Sequence, residues 1–551
     1  MHIDIGNPIE RTPSACDFPL LLKQLWITPL ANSPEQEIVY RDQQRFTYRQ
    51  MWARLGRLAS ALAKIGVEPS MTVAVMDWDS HRYLECFFAI PMMGCVLQTV
   101  NVRLSPEQVL YTLNHAEADI ILVHHEFLPL LAGIRDKLEK PVKVVLIRDA
   151  APEPAADDAS FVGEYEALLA AAAADYDFPD FDENTRATTF FTTGTTGVPK
   201  GCYYSHRQLV LHTMAIAGWL GTAPAQGRLH REDVYMPITP MFHVHAWGIP
   251  YAATLLGLKQ VYPGRYEAAR MLKLIRDEGV TFSHCVPTLL QMLLLHPDSA
   301  GTDLSKLKMV IGGSALSQGL CRMALERGID VFTGYGMSET APIQTVMHLS
   351  SAEVAGDIDD QAALRVRTGR PFMLCDVRVV DDDMKTRAHD GQSQGEVVFR
   401  SPWLTQGYLK ESENSEQLWR GGYLHSGDIG TMDAAGRLQI RDRLKDVIKT
   451  GGEWISSLAL EDLISKMAGV GEVAVIGVPD TTWGERPLAL VVPRSDTTLD
   501  SQVIRQHLMD LADTGAIPTY AVPDKVLIVA ALAKTSVGKL DKKTLRRSYG
   551  A

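Results

Sequence analysis

The sequence is poor in the features that mark a secreted, membrane-spanning or nucleic-acid-binding chain. No window approaches the roughly 18 consecutive apolar residues of a membrane span. The start, "MHIDIGNPIERTPSACDFPLLLKQLW", lacks a basic stretch followed by a sustained apolar one, so no secretory signal is expected. The seven cysteines (Cys16, Cys86, Cys95, Cys202, Cys285, Cys321, Cys375) stand singly, with an odd total and no C-x-x-C pair. That spacing excludes a disulfide framework and a cysteine zinc cluster, and it fits a reducing compartment. Positive charge is in deficit, 54 Lys and Arg against 66 Asp and Glu, a net charge of −12. A general nucleic-acid binder needs clustered basic residues and is excluded. The one dense basic run, "KLDKKTLRR" near the C-terminus, reads as a solvated helix face. The expected location is the cytoplasm, with membrane-surface attachment left open.

What is present is ample core material: 46% hydrophobic and 22% charged residues over 551 positions. Single cores stop growing at roughly 250–300 residues, so two or more domains are expected. "RLGRLASALAKIG" (54–66) puts Leu55, Leu58, Leu62 and Ile65 at helical spacing before a glycine suited to a C-cap. Short β-rich runs follow at "ADIILV", "VKVVLIRD", "RATTFF", "DVYMPI", "VTFSHCV", "LKMVIGG" and "DVFTGYG", most of them separated by helix-length segments. This alternation predicts an α/β architecture with largely parallel sheets.

From about Cys375 the texture changes to shorter β runs with turn signals, "VRVVDDDM", "GEVVFR" and "GRLQIRDR", which suggests a β-rich subdomain. The expected division is an N-terminal domain over 1–442 with that subdomain at about 375–442, then a small α+β domain over 446–551. The boundary falls within "RDRLKDVIKTGG".

Directly after "ATTFF" comes "TTGTTGVPKG" (192–201). A strand ending in a glycine-rich loop brings backbone N–H groups to the edge of a sheet, where they cradle anions. Thr192, Thr193, Thr195 and Thr196 add hydroxyls, Gly194 and Gly197 allow close approach, and Lys200 adds charge. That is chemistry for a polyphosphate. It is not the Walker A loop, whose lysine precedes Ser or Thr, because Lys200 precedes Gly201.

Three further stretches follow in order: "TGYGMSETAP" (333–342), "HSGDIG" (425–430) and "KTSVGK" (534–539). Together with the threonine loop they resemble the adenylate-forming acyl-CoA synthetase superfamily over nearly the whole chain. The resemblance implies activation of a carboxylic acid by ATP with Mg²⁺, then transfer of the acyl group to coenzyme A. It assigns the threonine loop to the departing pyrophosphate, Glu339 to Mg²⁺, and the Thr340 hydroxyl to the α-phosphate. Tyr335 and Gly336 would lie against one adenine face, with Gly312, Gly313 and Ser314 on the other. Asp428 and Arg443 would hold the ribose. The family more often shows Thr-Gly-Asp where this chain has Ser426. Lys539 would bridge the reacting carboxylate and the α-phosphate.

For the second half-reaction the resemblance implies a swing of the C-terminal domain about Lys445, bringing Gly451, Gly452 and Trp454 to the coenzyme A tunnel. Many relatives read Gly-Gly-Glu-Asn there, and Trp454 departs from it. "MFHVHAWG" (241–248) matches the stretch bounding the acyl site, with His243 at a position that changes rotamer as pyrophosphate leaves. Trp247, Val286, Met337 and Ile343 are the apolar pocket candidates and favour a monocarboxylic acid.

The stretch from "MDWDSHRYLECF" to "ADIILV" resembles the medium- and long-chain fatty acyl-CoA ligase branch, so a medium-chain acid is expected. Short, branched, sulfur-containing and aromatic acids are the alternatives, as is loading of a carrier protein instead of coenzyme A. A non-enzymatic nucleotide-binding regulator would be expected to lack Glu339 or Lys539, and both are present. The expected partners are small molecules. A homodimer is compatible with the sequence, which does not specify an oligomeric state.

Overall fold

The computed structural model describes residues 6–7, 9–149, 160–192, 198–223, 227–450, 453–494, 497–515, 517–535 and 539–550. Among them, four sheets with intervening helices make up an α/β architecture. The seven β-rich runs that precede residue 337 all form strands. The helix expected from Arg54 begins earlier and spans Tyr48–Lys64. Its start is set by a capping box: the Gln50 N–H donates to Thr47 Oγ1 at 3.2 Å and the Thr47 N–H to Gln50 Oε1 at 2.8 Å. Its Leu55, Leu58 and Leu62 are buried, each contributing about 1.5–3 kcal/mol.

A seven-stranded sheet runs in the order Gly163–Glu164, Lys143–Ile147, Ile120–His124, Thr72–Met76, Val96–Thr99, Arg186–Phe191, Gly201–Ser205. All its pairings are parallel except the last. Every residue of Thr72–Met76 and Ile120–His124 is buried, as strands covered on both faces require.

A nine-stranded sheet has a parallel centre of Lys259–Tyr262, Val234–Ile238, Phe282–Cys285, Lys308–Ile311 and Asp330–Gly336. A buried ionic cluster joins the two sheets. Asp149, just past Lys143–Ile147, accepts hydrogen bonds from Tyr40 Oη at 2.8 Å and Arg41 Nη1 at 2.9 Å, both from the end of Glu37–Tyr40 in the nine-stranded sheet. Arg82, 1% exposed, reaches Asp149 at 3.4 Å and donates to Glu166 at 2.9 Å. Charges so deeply placed persist only when paired in this way.

A third, antiparallel sheet comprises Asp376–Val380, Gly395–Arg400, Trp419–Arg420, Tyr423–Met432 and Leu438–Arg443. The fourth comprises Ile448–Thr450, Glu453–Ile455, Val470–Asp480, Gly484–Pro493 and Lys525–Ile528. The helices Ser457–Ser465 and Ser501–Asp513 add residues to one hydrophobic cluster on it, and Lys542–Tyr549 adds residues to another.

Candidate active site

The parallel strands of the nine-stranded sheet end level with one another. Ile238 pairs with Cys285, Cys285 with Ile311, and Ile311 with Thr333. The residues that follow, Thr239, Val286, Gly312 to Ser314 and Tyr335, therefore gather at one carboxyl edge, where ligands of open α/β sheets bind. Two glycines are required there by geometry. A Cβ on Gly336 would lie 1.7 Å from the Pro342 carbonyl oxygen. Gly313 has φ +79°, and a Cβ there would meet Lys539 Cε at 3.1 Å. The stem of Lys539 thus lies against the glycine turn, although Lys539 is remote in sequence.

Around this edge the charged groups converge. Tyr335 Oη donates to Asp428 Oδ2 at 2.6 Å, and Arg443 Nε stands 3.5 Å from Asp428 Oδ1. Asp428 and Arg443 are brought opposite each other by the pairing of Tyr423–Met432 with Leu438–Arg443. Burial pushes the Asp428 carboxyl up, while Arg443 and the Tyr335 hydroxyl pull it down. Ser426 keeps the turn: its hydroxyl donates to the Val397 carbonyl and accepts the Asp428 N–H at 3.0 Å. Lys539 is pushed down to about 8, first by burial and then by the Arg443 guanidinium, with Asp428 and Glu339 acting in the opposite sense.

Glu339 is 8% exposed, and burial raises its carboxyl above the ordinary range. Its strongest opposing contact is Tyr408, whose Oη donates to Glu339 Oε1 at 2.7 Å. Lys200 Nζ sits 4.7 Å from the centre of the same Tyr408 ring, a cation–π contact that brings the end of the threonine loop to Glu339. Tyr408 has no place in the quoted motifs, and nothing in its local spacing marks it.

Thr192 donates its N–H to the Lys200 carbonyl at 2.8 Å, closing the neck of the loop. Thr193, Gly194, Thr195, Thr196 and Gly197 lie outside the described residues, as do Gly451 and Gly452. Thr340 is fully buried, and its hydroxyl is turned inward, with the Met337 and Pro342 carbonyls both within reach of its one proton and the Met337 N–H donating to its oxygen. The structure does not present this hydroxyl toward the open side of the site. Lys445 lies in the turn in which the Asp446 and Val447 N–H groups both donate to Arg443 O, at 2.8 and 2.9 Å. Trp454 pairs through its backbone register with Lys449.

A cavity with a free volume of about 40 Å³ opens beside Lys539 and Gly313. Three of the expected acyl-pocket residues line it: His243, Trp247 and Val286. Met337 and Ile343 do not. Met337 shares a strand face with Tyr335 and packs with it toward the third sheet, while Ile343 is absorbed in the main core. In their place the cavity takes Ile238, Thr239, Pro240, Thr288, Leu289 and Arg103. The first three were readable in hindsight as the end of "DVYMPITP". Arg103, from the loop after Val96–Thr99, carried no such signal. His243 is pushed down to about 3 by burial, then by Lys539 and Arg103, and is therefore neutral near pH 7. Among the described residues the one cluster with three metal-ligating side chains, His124, His125 and Glu126, is built from residues outside this edge.

The gathering of Asp428, Arg443, Tyr335 and Lys539 at the carboxyl edge of a parallel sheet is accompanied by a match of the chain to a known family. The model for AMP-binding enzymes matches residues 28–409, and that for their C-terminal domain matches 459–539. The chain belongs to the AMP-binding enzyme family. It is 38% identical to a long-chain-fatty-acid–CoA ligase of Thermus thermophilus, over 92% of this chain and 90% of that one. It is 36% identical to a 3-methylmercaptopropionyl-CoA ligase of Ruegeria lacuscaerulensis, over 96% and 97%. In fold it resembles an anthranilate CoA ligase solved with anthranoyl-AMP, with a TM-score of 0.84, 24% identity, and 96% and 98% coverage. These relatives place it among the AMP-forming acid–CoA ligases, whose substrates are ATP, a carboxylic acid and coenzyme A. Among the described residues no helix is long and apolar enough to cross a membrane.

Proposed function

We propose that the acid is a medium-chain fatty monocarboxylic acid, with a short thioether-containing acid as the second reading. The observation that carries this is the cavity beside Lys539. Its apolar wall, with Ile238, Trp247, Val286 and Leu289, suits an alkyl tail whose carboxylate lies toward Lys539. The likeness to fatty-acid–CoA ligases supports the same reading, and the likeness to a 3-methylmercaptopropionyl-CoA ligase supports the second.

In the first half-reaction two anions meet, the carboxylate and the α-phosphate, so catalysis is mostly positioning and charge neutralisation. Lys539, emerging over Gly313 at the cavity mouth, would sit between them and offset the charge that moves toward pyrophosphate. Asp428 would accept the ribose hydroxyls, with Arg443 and Tyr335 holding its carboxylate in place. Glu339, with Lys200 nearby, suits a Mg²⁺ bound mainly through the phosphates, which needs only one or two protein carboxylates. When bound, the ion neutralises phosphate charge. Neutral His243 at the cavity wall leaves the approaching carboxylate without a competing cation beyond Lys539 and Arg103. The Thr340 contact to the α-phosphate, if made through the side chain, requires the hydroxyl to leave its backbone partners. For the second half-reaction the C-terminal domain, 446–551, would turn about Lys445, withdraw Lys539 and bring the 451–454 loop to the adenylate. We place the enzyme in the cytoplasm, where ATP and coenzyme A are supplied.

The test is AMP release with ATP, Mg²⁺ and coenzyme A over straight-chain, branched, aromatic and thioether acids. The expected optimum is a straight medium-chain acid. An optimum at a thioether, branched or aromatic acid, by roughly tenfold in kcat/KM, would overturn the medium-chain reading.

A further inference from the structure

Beside the ribose pair lies a second carboxylate to which the proposed chemistry gives no role. Asp442 precedes Arg443 on the strand Leu438–Arg443, so its side chain points to the opposite face of the sheet from that of Arg443. It is 2% exposed. A carboxylate so buried must find donors, and two of its three come from across the hinge. Asp442 Oδ2 accepts the Ser457 N–H at 2.6 Å and the Ser457 Oγ–H at 2.7 Å, while Oδ1 accepts the Arg443 N–H at 2.8 Å. Ser457 opens the helix Ser457–Ser465, so Asp442 places a negative charge at that helix's N-terminus from another sheet. A second strap runs alongside, from the Ser456 hydroxyl to the Arg441 carbonyl.

The network continues toward the lysine of the active site. Ser457 Oγ, having donated its proton to Asp442, accepts from Lys542 Nζ at 2.6 Å, as a hydroxyl with two lone pairs can. Lys542 also pairs with Glu461 Oε1 at 2.7 Å, and that oxygen takes the Val475 N–H at 2.7 Å. Lys542 is the first residue of the helix Lys542–Tyr549, and Lys539 lies three positions before it. The Lys539 loop is closed by the Thr535 N–H donating to Lys539 O at 2.7 Å.

We infer that Asp442 is a positioning residue for the adenylation step: its bonds to Ser457 dock the C-terminal domain in the arrangement that presents Lys539, and their rupture accompanies the change to thioester formation. This rests on the domain rotation about Lys445 proposed above. Asp442 belongs to the sheet on one side of that hinge and Ser457 to the domain on the other. A rotation large enough to withdraw Lys539 cannot keep both bonds, and it leaves Asp442 to water. The latch therefore stabilises one of the two working arrangements and not the other.

The test measures the half-reactions separately in Asp442→Asn and Ser457→Ala. Asn keeps the size but removes the charge and half of the acceptor capacity; Ala removes the hydroxyl that links Asp442 to Lys542 while leaving the backbone N–H. Acid-dependent exchange of pyrophosphate into ATP is expected to fall about tenfold or more in Asp442→Asn and less in Ser457→Ala, as loss of a charge-assisted bond implies. Thioester formation from preformed acyl-adenylate and coenzyme A is expected to hold or rise in both. Because the two residues share one contact, the double variant is expected to lose less than the product of the single effects. Equal loss in both half-reactions, or unaltered exchange, overturns the inference. Wild-type enzyme that forms no acyl-adenylate in the absence of coenzyme A overturns the two-step reading beneath it, and the latch with it.

Discussion

Removing one oxygen, that of Tyr408, should expose how Glu339 is held. The Tyr408 hydroxyl donates to Glu339 Oε1 at 2.7 Å, and the ring beneath it carries Lys200 at 4.7 Å. Tyr408→Phe keeps the ring and the cation–π contact but takes away the strongest opposing influence on a carboxyl that burial already raises. A hydrogen bond to a charged group contributes about 1.5–3 kcal/mol, which corresponds to roughly 10- to 150-fold in a rate or affinity. The loss should appear in the Mg²⁺ and ATP dependence of acid-driven pyrophosphate exchange and leave the KM for the acid nearly unchanged. The sign of the pH effect follows from the same contact. Without Tyr408 the Glu339 carboxyl titrates higher, stays protonated to a higher pH, and moves the acidic limb of the exchange reaction upward. Tyr408→Leu also removes the Lys200 contact, about 0.5–2 kcal/mol more, and should be the weaker enzyme. An Mg²⁺ dependence and acidic limb identical to wild type in Tyr408→Phe would refute the assignment of Glu339 to the metal–phosphate end of the site.

Three other perturbations probe separate parts of the account. Asp428→Ala should raise the KM for ATP by roughly 10-fold or more and that for the acid little, because it removes the charged acceptor of the ribose hydroxyls; steady-state titration of each substrate decides it. Gly336→Ala forces a Cβ against the Pro342 carbonyl and should cost about 3 kcal/mol or more, seen as a lower thermal midpoint together with loss of adenylation. Since Lys539 in the free protein is pushed down to about 8, its positive charge is present below that pH and lost above it. The kcat/KM for ATP in adenylation should therefore fall as pH rises through about 8, and a profile flat up to the ordinary lysine range would contradict this.

The α/β class and the strands were legible because buried parallel strands leave short β-branched runs between helix-length segments, as "VTFSHCV" and "LKMVIGG" do. The start of Tyr48–Lys64 was missed although its signal, Thr47 followed three positions later by Gln50, was present. Motif residues such as Tyr335, Asp428 and Arg443 are local in sequence, and the structure brings them within hydrogen-bonding or ion-pair reach. Tyr408, Arg103 and Asp442 were illegible for the opposite reason. Each acts through a partner distant in sequence, Glu339, the cavity or Ser457, and a single sequence records no such pairing. Met337 and Ile343 show the converse limit: adjacency to a motif placed them near the site, but strand alternation and core packing turned them away from the cavity.

In the proposed mechanism one lysine, Lys539, carried by the C-terminal domain, serves adenylation alone. This is tested most directly by Lys539→Ala in the two half-reactions: acyl-adenylate formation from acid and ATP, and thioester formation from preformed acyl-adenylate and coenzyme A. The first is expected to fall by about 100-fold or more, as for the loss of a charge that stabilises the transition state, while the second stays near wild type. Comparable loss of both would contradict it.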